Sequence, residues 1–321
     1  MVDKNEAIKD YSSKNVKVLE GLESIRKQFD VIELSKNVKR QGDILTLSQE
    51  LKINYSSLKR AVEEGRILQI FPSLNKSKVL PLSRLKTERD FSEFSRLNDL
   101  DLLSTREIYK RVKQWNVDLQ KNPRDLLNRE EHDLIIGSLL GDASIRKRLR
   151  NSCFRVAHSV KQEEYAKYKQ NVLRIFGTSE YTEKERIIKE RTVKMFYFST
   201  RTHPVFNYYR NLFYNSGRKQ VTREILSQLN PSSLAIWICD DGSYETKQGY
   251  IILCTNSYSK EEHSLMKKFF NEKFGLNPTI GFRDGKYYYL RFKQDDSKKL
   301  IEIVRPFIPE SMKYKIGEKN D

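Results

Sequence analysis

Two aspartates offer the clearest chemistry in the sequence. Asp142 lies near the end of the apolar stretch Ile135–Ser144 (IIGSLLGDAS), and Asp241 lies near the end of Leu234–Tyr244 (LAIWICDDGSY). Each reads as a short helix finished by an acid, an unfavourable placement, because a helix C-terminus carries partial negative charge. The first also holds Gly137 and Gly141, and an interior glycine costs about 1 kcal/mol relative to alanine. Two helices approach backbone to backbone only where side chains are missing. Gly137 and Gly141 share a face at i, i+4, and Ala235 and Cys239 are expected to supply the small residues of the partner helix. That packing brings Asp142 and Asp241 together, where they repel and need a divalent cation to stabilise them. Oxygen ligands favour Mg²⁺ (or Mn²⁺), with water and phosphate completing its shell. Gly141 and Asp240 belong to the expected metal-holding set, Asp240 either as an extra acid or merely as a helix-end residue.

The elements that must position these acids repeat along the chain. With Asp142 set against Asp241, Gln162–Gly177 (QEEYAKYKQNVLRIFG) falls against Lys260–Gly275 (KEEHSLMKKFFNEKFG). Strand-like alternation runs through Ser144–Arg150, Cys153–Val160 and Arg186–Ser199 in the first copy. It returns in Ser243–Ser257 and Thr279–Phe292 in the second, where Asp284-Gly285 signals a tight hairpin turn. Helices are predicted over Glu163–Phe176, Pro204–Phe213, Lys260–Phe274 and Asp295–Val304. Each copy is therefore an αββαββα module, and the fold class is α+β: two pseudo-symmetric modules over 128–230 and 231–321, preceded by a mostly helical domain over 1–127.

With the motif helices Ile135–Ala143 and Leu234–Gly242, the chain resembles a single-chain, double-motif LAGLIDADG homing endonuclease over residues 131–317. Further phrases resemble one branch of that family: STRTHPVFNYYRNLFYNSGRK from Ser199 and LIEIVRPFIPESMKYKIG from Leu300. Ala143 replaces the terminal glycine of the first motif, whereas Asp241-Gly242 keeps it. The resemblance implies a saddle of two four-stranded sheets on double-stranded DNA and metal-dependent hydrolysis of both strands at sites sharing the central helices. It also implies that Lys293, in LRFKQDD, organises the reactive water, the alternative being an ordinary phosphate clamp or surface lysine. The repeat alignment sets Thr200 opposite Lys293, which predicts unequal sites. The rival reading is a noncatalytic nucleic-acid binder, a transcription regulator or an intron maturase, which makes intron RNA a second candidate partner. Two retained acids that repel without metal favour cleavage.

The remaining residues agree with a polyanionic partner. The net charge is +17, from 60 Lys and Arg against 43 Asp and Glu, and both halves of the chain are basic. Arg146, Arg148 and Arg150 are predicted on one strand face at period two, joined in the same module by Arg155, Lys189, Arg191 and Lys194, and beyond them by Arg201, Arg283 and Arg291; arginines there can take phosphates or guanine edges. In the front section Ile44–Leu68 has helix-turn-helix spacing near 44–66, with Ser56 or Ser57 as cap and Gly65 as stop, though a simple helical hairpin reads similarly. As a helix-turn-helix it would set Tyr55, Ser57, Lys59 and Arg60 near DNA. His158 and His203 fall in no HxH or HNH pattern and are expected to be structural or to touch phosphate, while Ser159 and Ser257 could order water. Cys153, Cys239 and Cys254 show no CxxC spacing, which argues against a disulfide framework or structural zinc. No run is long enough to span a membrane, and the first residues resemble neither a signal nor a transit peptide. The expected state is a monomer with no membrane partner, in the cytoplasm (nucleoid or phage-infected cell), an organelle being the open alternative.

Overall fold

Capping signals decide where the two motif helices begin. A computed structural model of the protein describes residues 18, 20–38, 41–179, 182–188, 191–215 and 217–318. The first motif helix starts at Arg129, earlier than the apolar run suggests, because Asn128 accepts from the Glu131 amide while Glu131 accepts from the Asn128 amide. The second starts at Pro231 under the same device, with Asn230 accepting from the Ser232 and Ser233 amides and Pro231 as first helical residue.

The described residues divide into two compact units: the chain up to Lys86 with Asp90–Trp115, and Thr87–Arg89 with Asn116 onward. The first unit is helical. It comprises α1 (20–28), α2 (Val31–Asn37), α3 (Gln41–Glu50), α4 (Tyr55–Ile70), α5 (Lys76–Leu82), α6 (Glu88–Leu97) and most of α7 (Thr105–Asp118). Its core includes Leu58, Ala61, Val62, Ile67, Leu82, Ile108 and Val112. The α3–turn–α4 pair exists, with Lys52 in the left-handed region at its turn. Three details differ from expectation. Asn54 caps α4, accepting from Ser56 and Ser57. Ser57 is buried and donates its hydroxyl to the Val18 carbonyl, so it faces the unit's interior and not a DNA surface. Gly65 does not stop the helix but sits inside it, where a Cβ would lie 1.8 Å from the Val31 carbonyl oxygen of α2.

The second unit carries the repeat. Its first module is α8 (Arg129–Leu140), β1 (Ser144–Lys147), β2 (Ser152–Ser159), α9 (Glu163–Val172), β3 (Thr182–Ile188), β4 (Arg191–Ser199) and α10 (Val205–Phe213). The short β5 (Tyr214–Asn215) and β6 (Arg218–Lys219) and α11 (Arg223–Ser227) follow. The second module is α12 (Pro231–Asp241), β7 (Gly242–Glu245), β8 (Tyr250–Leu253), α13 (Lys260–Phe274), β9 (Thr279–Arg283), β10 (Tyr287–Phe292) and α14 (Gln294–Val304), with a 3-10 segment over Glu310–Ile316. The two four-stranded antiparallel sheets share one order, β1-β2-β4-β3 and β7-β8-β10-β9. Asp284 and Gly285 both take positive φ, as the hairpin turn requires.

Register sorts the basic residues by face. Arg155 pairs with Ser144 and Ser199, and Arg146 with Cys153, so Arg146 and Arg155 are exposed on the face turned away from buried Ile145, Phe154 and Val156. Arg148 and Arg150 leave that row: β1 ends at Lys147 and the Arg148 amide donates to Asn151 in the turn. Lys194 pairs with Glu185 one register step away from the outward Met195 and Tyr197, on the opposite face. Arg191 pairs with Ile188 at the far end of the hairpin, and Lys189 lies outside the described residues. In the second sheet Arg283 and Arg291 share the outward face with Tyr287 and Tyr289. Arg291 stacks on Tyr250 at 4.2 Å, and the Tyr289 ring lies where a side chain on Gly281 would be. The three cysteines are free thiols, and among the described residues no helix is long and apolar enough to cross a membrane.

Candidate active site

The motif helices α8 and α12 meet along their length. At their N-terminal ends Asn230 donates to Asp133 across the interface at 2.7 Å. In the middle, a Cβ on Gly137 would lie 2.3 Å from the Ser233 carbonyl oxygen and 2.7 Å from Ile236 Cβ. At the C-terminal ends a Cβ on Gly141 would lie 2.4 Å from Asp240 Cβ. The glycines therefore do permit backbone approach, but their partners are Ser233, Ile236 and Asp240 and not the expected Ala235 and Cys239.

This contact carries Asp142 and Asp241 to the same end of the helix pair. Burial first, then the charges of Asp142 and Asp240, push the Asp241 carboxyl well above the usual carboxylate range. Trp237 Nε1 donates to its Oδ2 at 3.2 Å. Asp142 keeps 44% of its side chain exposed, yet the surrounding protein and the Asp240 charge raise its pKa to about 6.

Helix ends leave carbonyls without intrahelical donors, and here each module supplies them in matching fashion. Lys219 Nζ donates to Gly141 O at 2.6 Å and to Ala143 O at 3.3 Å. Lys315 Nζ donates to Gly242 O at 2.9 Å and to Asp240 O at 3.4 Å, the corresponding carbonyls of the second motif. The Tyr258 hydroxyl caps Leu140 O at 2.7 Å, and Tyr165 reaches Ile236 O at 3.3 Å. Both lysines lie in the field of the acids, and burial lowers the Lys219 pKa against the pull of Asp241 and Asp142.

Asp240 faces inward. Lys169, with no exposed side-chain surface, donates to its Oδ1 at 2.7 Å and its Oδ2 at 2.9 Å. Tyr165 donates to Oδ1 at 2.9 Å and the Asp142 amide to Oδ2 at 3.2 Å. His158 is buried at the end of β2, its Nδ1 3.7 Å from Asp142 Oδ2. Burial, then the Lys169 charge, lower its pKa to about 3, and neither ring nitrogen has a hydrogen-bond partner. In the second repeat, Asn256 Oδ1, just beyond β8, is likewise buried and unpartnered.

Asp142, His158 and Asp240 offer ligand atoms within 4.8 Å of one another. The Asp142 carboxylate, a neutral imidazole with unsatisfied nitrogens and helix-end carbonyls such as that of Gly141 suit a divalent cation, whereas the Asp240 oxygens are already engaged by Lys169, Tyr165 and the Asp142 amide. Lys293 immediately precedes α14, with its side chain exposed. Thr200 is buried and accepts from the Phe154 amide through its hydroxyl. Lys219 and Lys315 serve the helix ends of the two modules alike. Ser159 accepts from the Lys161 amide as a cap, Ser257 is exposed, and Arg201 lies beside Gly177 beyond the end of β4. His203 is buried against Phe176 and Phe206, a structural place. Sequence reasoning missed Lys169, Tyr165, Lys219 and Lys315 and undervalued His158. A signal existed for the two capping lysines, which fall late in the phrases that follow each module's last helix.

A profile of the LAGLIDADG DNA endonuclease family matches residues 132–300. The chain is 26% identical over 212 residues to DNA endonuclease I-ChuI of Chlamydomonas applanata, covering 60% of this chain and 97% of that protein. It is 30% identical over 198 residues to cytochrome b mRNA maturase bI2 of Debaryomyces hansenii, covering 60% of this chain and 75% of the relative. A solved structure of the homing endonuclease I-WcaI bound to its DNA recognition sequence aligns with 59% of this chain and 87% of its own, at 26% identity and a TM-score of 0.54.

Proposed function

Because the chain belongs to the LAGLIDADG DNA endonuclease family, we propose that it is a site-specific endonuclease that cuts both strands of a DNA duplex with divalent metal. The observation that carries this reading is the pair of acids at the ends of two touching helices, where the charge of Asp142 helps raise the proton affinity of Asp241. A protein that only bound DNA would gain nothing from that repulsion.

Asp142 and Asp241 would hold the metal, with His158 and the Gly141 carbonyl close by. The ion supplies Lewis acidity and stabilises charge on the scissile phosphate and its leaving oxygen. Lys219 and Lys315 each have three N–H donors, two of them spent on helix-end carbonyls. The third, without a hydrogen-bond partner among the described residues, would serve a phosphate oxygen, which puts one positive charge beside each half of the site. His158, kept neutral by burial, stands just beyond direct hydrogen-bond distance of Asp142. Arg146, Arg155, Arg283 and Arg291 would take the DNA on the outward sheet faces.

The test is selection of cleaved sites from a randomised duplex library with Mg²⁺. A defined product is expected, lost in Asp142→Asn and in Asp241→Asn while duplex binding persists. If both variants cut at the parental rate, the assignment of the acids is wrong. The maturase relative favours one second reading, intron RNA binding on the same faces, and binding of structured RNA without any DNA product would support it.

A further inference from the structure

The family's chemistry asks only for the acid at the end of each motif, yet the second motif carries another acid beside it. Asp240 is 7% exposed and its carboxylate makes four hydrogen bonds: two from Lys169, one from Tyr165 and one from the Asp142 amide. An ionised carboxylate has about four acceptor positions, so none is left for a metal ion although the group lies within reach of one. In the first motif the matching residue is Gly141, and Asp241 is held instead by Trp237 at its carboxylate and by Cys254, whose amide donates to its carbonyl. The two motif acids are therefore held by different devices.

We propose that Asp240 is a positioning residue for the first half of the site: anchored by Lys169 and Tyr165, it fixes the Asp142 amide and with it the direction of the Asp142 carboxylate. The anchor spans both modules, since Lys169 and Tyr165 belong to α9 of the first and Asp240 to α12 of the second. A buried lysine pinned at both carboxylate oxygens leaves Asp240 one orientation, and one tyrosine hydroxyl locks the same oxygen. The device makes the geometry of Asp142 depend on the seating of one module against the other. It rests on the reading of Asp142 as a metal-holding residue, and it predicts unequal strands for a reason unrelated to Lys293.

The test replaces the ion pair as a unit, Lys169→Met with Asp240→Ala, because truncating one partner alone would strand a buried charge. Tyr165→Phe, which removes one of the four bonds and no charge, is the milder companion. Two readouts are taken on the full chain. The first is amide exchange at Asp142: it should quicken about tenfold or more in the double variant and less in Tyr165→Phe, while the Asp241 amide is unmoved. The second is cleavage of a duplex labelled on each strand with Mg²⁺. The double variant should slow one strand by on the order of 10–100-fold relative to the other, the cost of a misplaced reacting group. A purely structural role would slow both strands together and quicken exchange at both acids. Parental exchange at Asp142, or an unchanged ratio of strand rates in a parent that cuts, overturns the proposal. A parent that cuts no duplex refutes the endonuclease reading instead, and the exchange result then decides the positioning role alone. Should the double variant not fold, Tyr165→Phe carries both readouts.

Discussion

Burial and a neighbouring carboxylate oppose the ionisation of Asp142 and of Asp241, while nearby ammonium groups and, at Asp241, the Trp237 hydrogen bond act the other way. A carboxyl whose folded pKa is raised stabilises the fold while protonated, and that contribution disappears as pH rises through the folded value. For Asp142 the window runs from its ordinary 3.8 to about 6. Buried His132 and His158, lowered to about 4 and about 3, act in the opposite sense, their contribution being lost as pH falls. The effect of Asp142 is therefore read as a difference: in metal-free buffer, Asp142→Asn should gain thermal stability relative to the parent as pH climbs from 4 to 7. Mg²⁺ should then stabilise the parent more than the variant, by about 2.7 kcal/mol at a hundred times its Kd if the variant does not bind it. A melting difference flat in pH and indifferent to Mg²⁺ would remove the charge argument. The same field explains the lysines. Lys219→Met or Lys315→Met should slow cleavage by on the order of 10²–10³, while Lys293→Met should leave cleavage within a few-fold of the parent.

At the scale of elements, the helix pair α8–α12 is built from two asparagine-capped beginnings and one close crossing. Gly137 is the crossing point, and alanine there drives a Cβ into the Ser233 carbonyl. Gly137→Ala should cost about 1–3 kcal/mol, the usual range for overpacking, read as a lower denaturant midpoint. A neutral result would mean the helices can part without loss. Gly65→Ala poses the same test between α4 and α2 in the first unit. Local signals made much of this architecture legible. Ser259 and Glu262 box the start of α13, Gly275 ends it in the left-handed region, and Asp284-Gly285 closes β9 onto β10; each is complete within a few residues of sequence. What sequence hid is non-local. Lys169, Lys219 and Lys315 find partners 71 to 78 residues away, and nothing in a lone lysine distinguishes one that is buried on a carboxylate. Ser144–Arg150 misled in the other direction: alternating arginines imitate a strand, but the backbone turns at Arg148 to pair with β2.

The whole molecule is longer than the family part it contains. The DNA endonuclease family profile matches residues 132–300 only, all of them within the second unit. The continuous part of the second unit begins at Asn116, and Leu119, Leu126 and Leu127 are buried ahead of α8. A fragment from Asn116 should therefore fold and cut, though with reduced stability, because it loses Arg89, whose guanidinium bonds Glu131 and the Leu126 carbonyl. The helical unit would add affinity through α3 and α4, whose turn leaves Lys59 and Arg60 partly exposed on α4 while Tyr55 packs partly into the unit. If these residues meet phosphates, the full chain should show a steeper fall of log K with log salt than the fragment, by about 0.9 for each phosphate neutralised, together with a longer footprint on the selected site. Lys59→Glu with Arg60→Glu in the full chain should reproduce the fragment's slope and footprint while leaving the cleavage rate on saturated duplex unchanged. Equal slopes and equal footprints for fragment, variant and full chain would show that α3 and α4 do not touch the duplex and that the helical unit serves some other end.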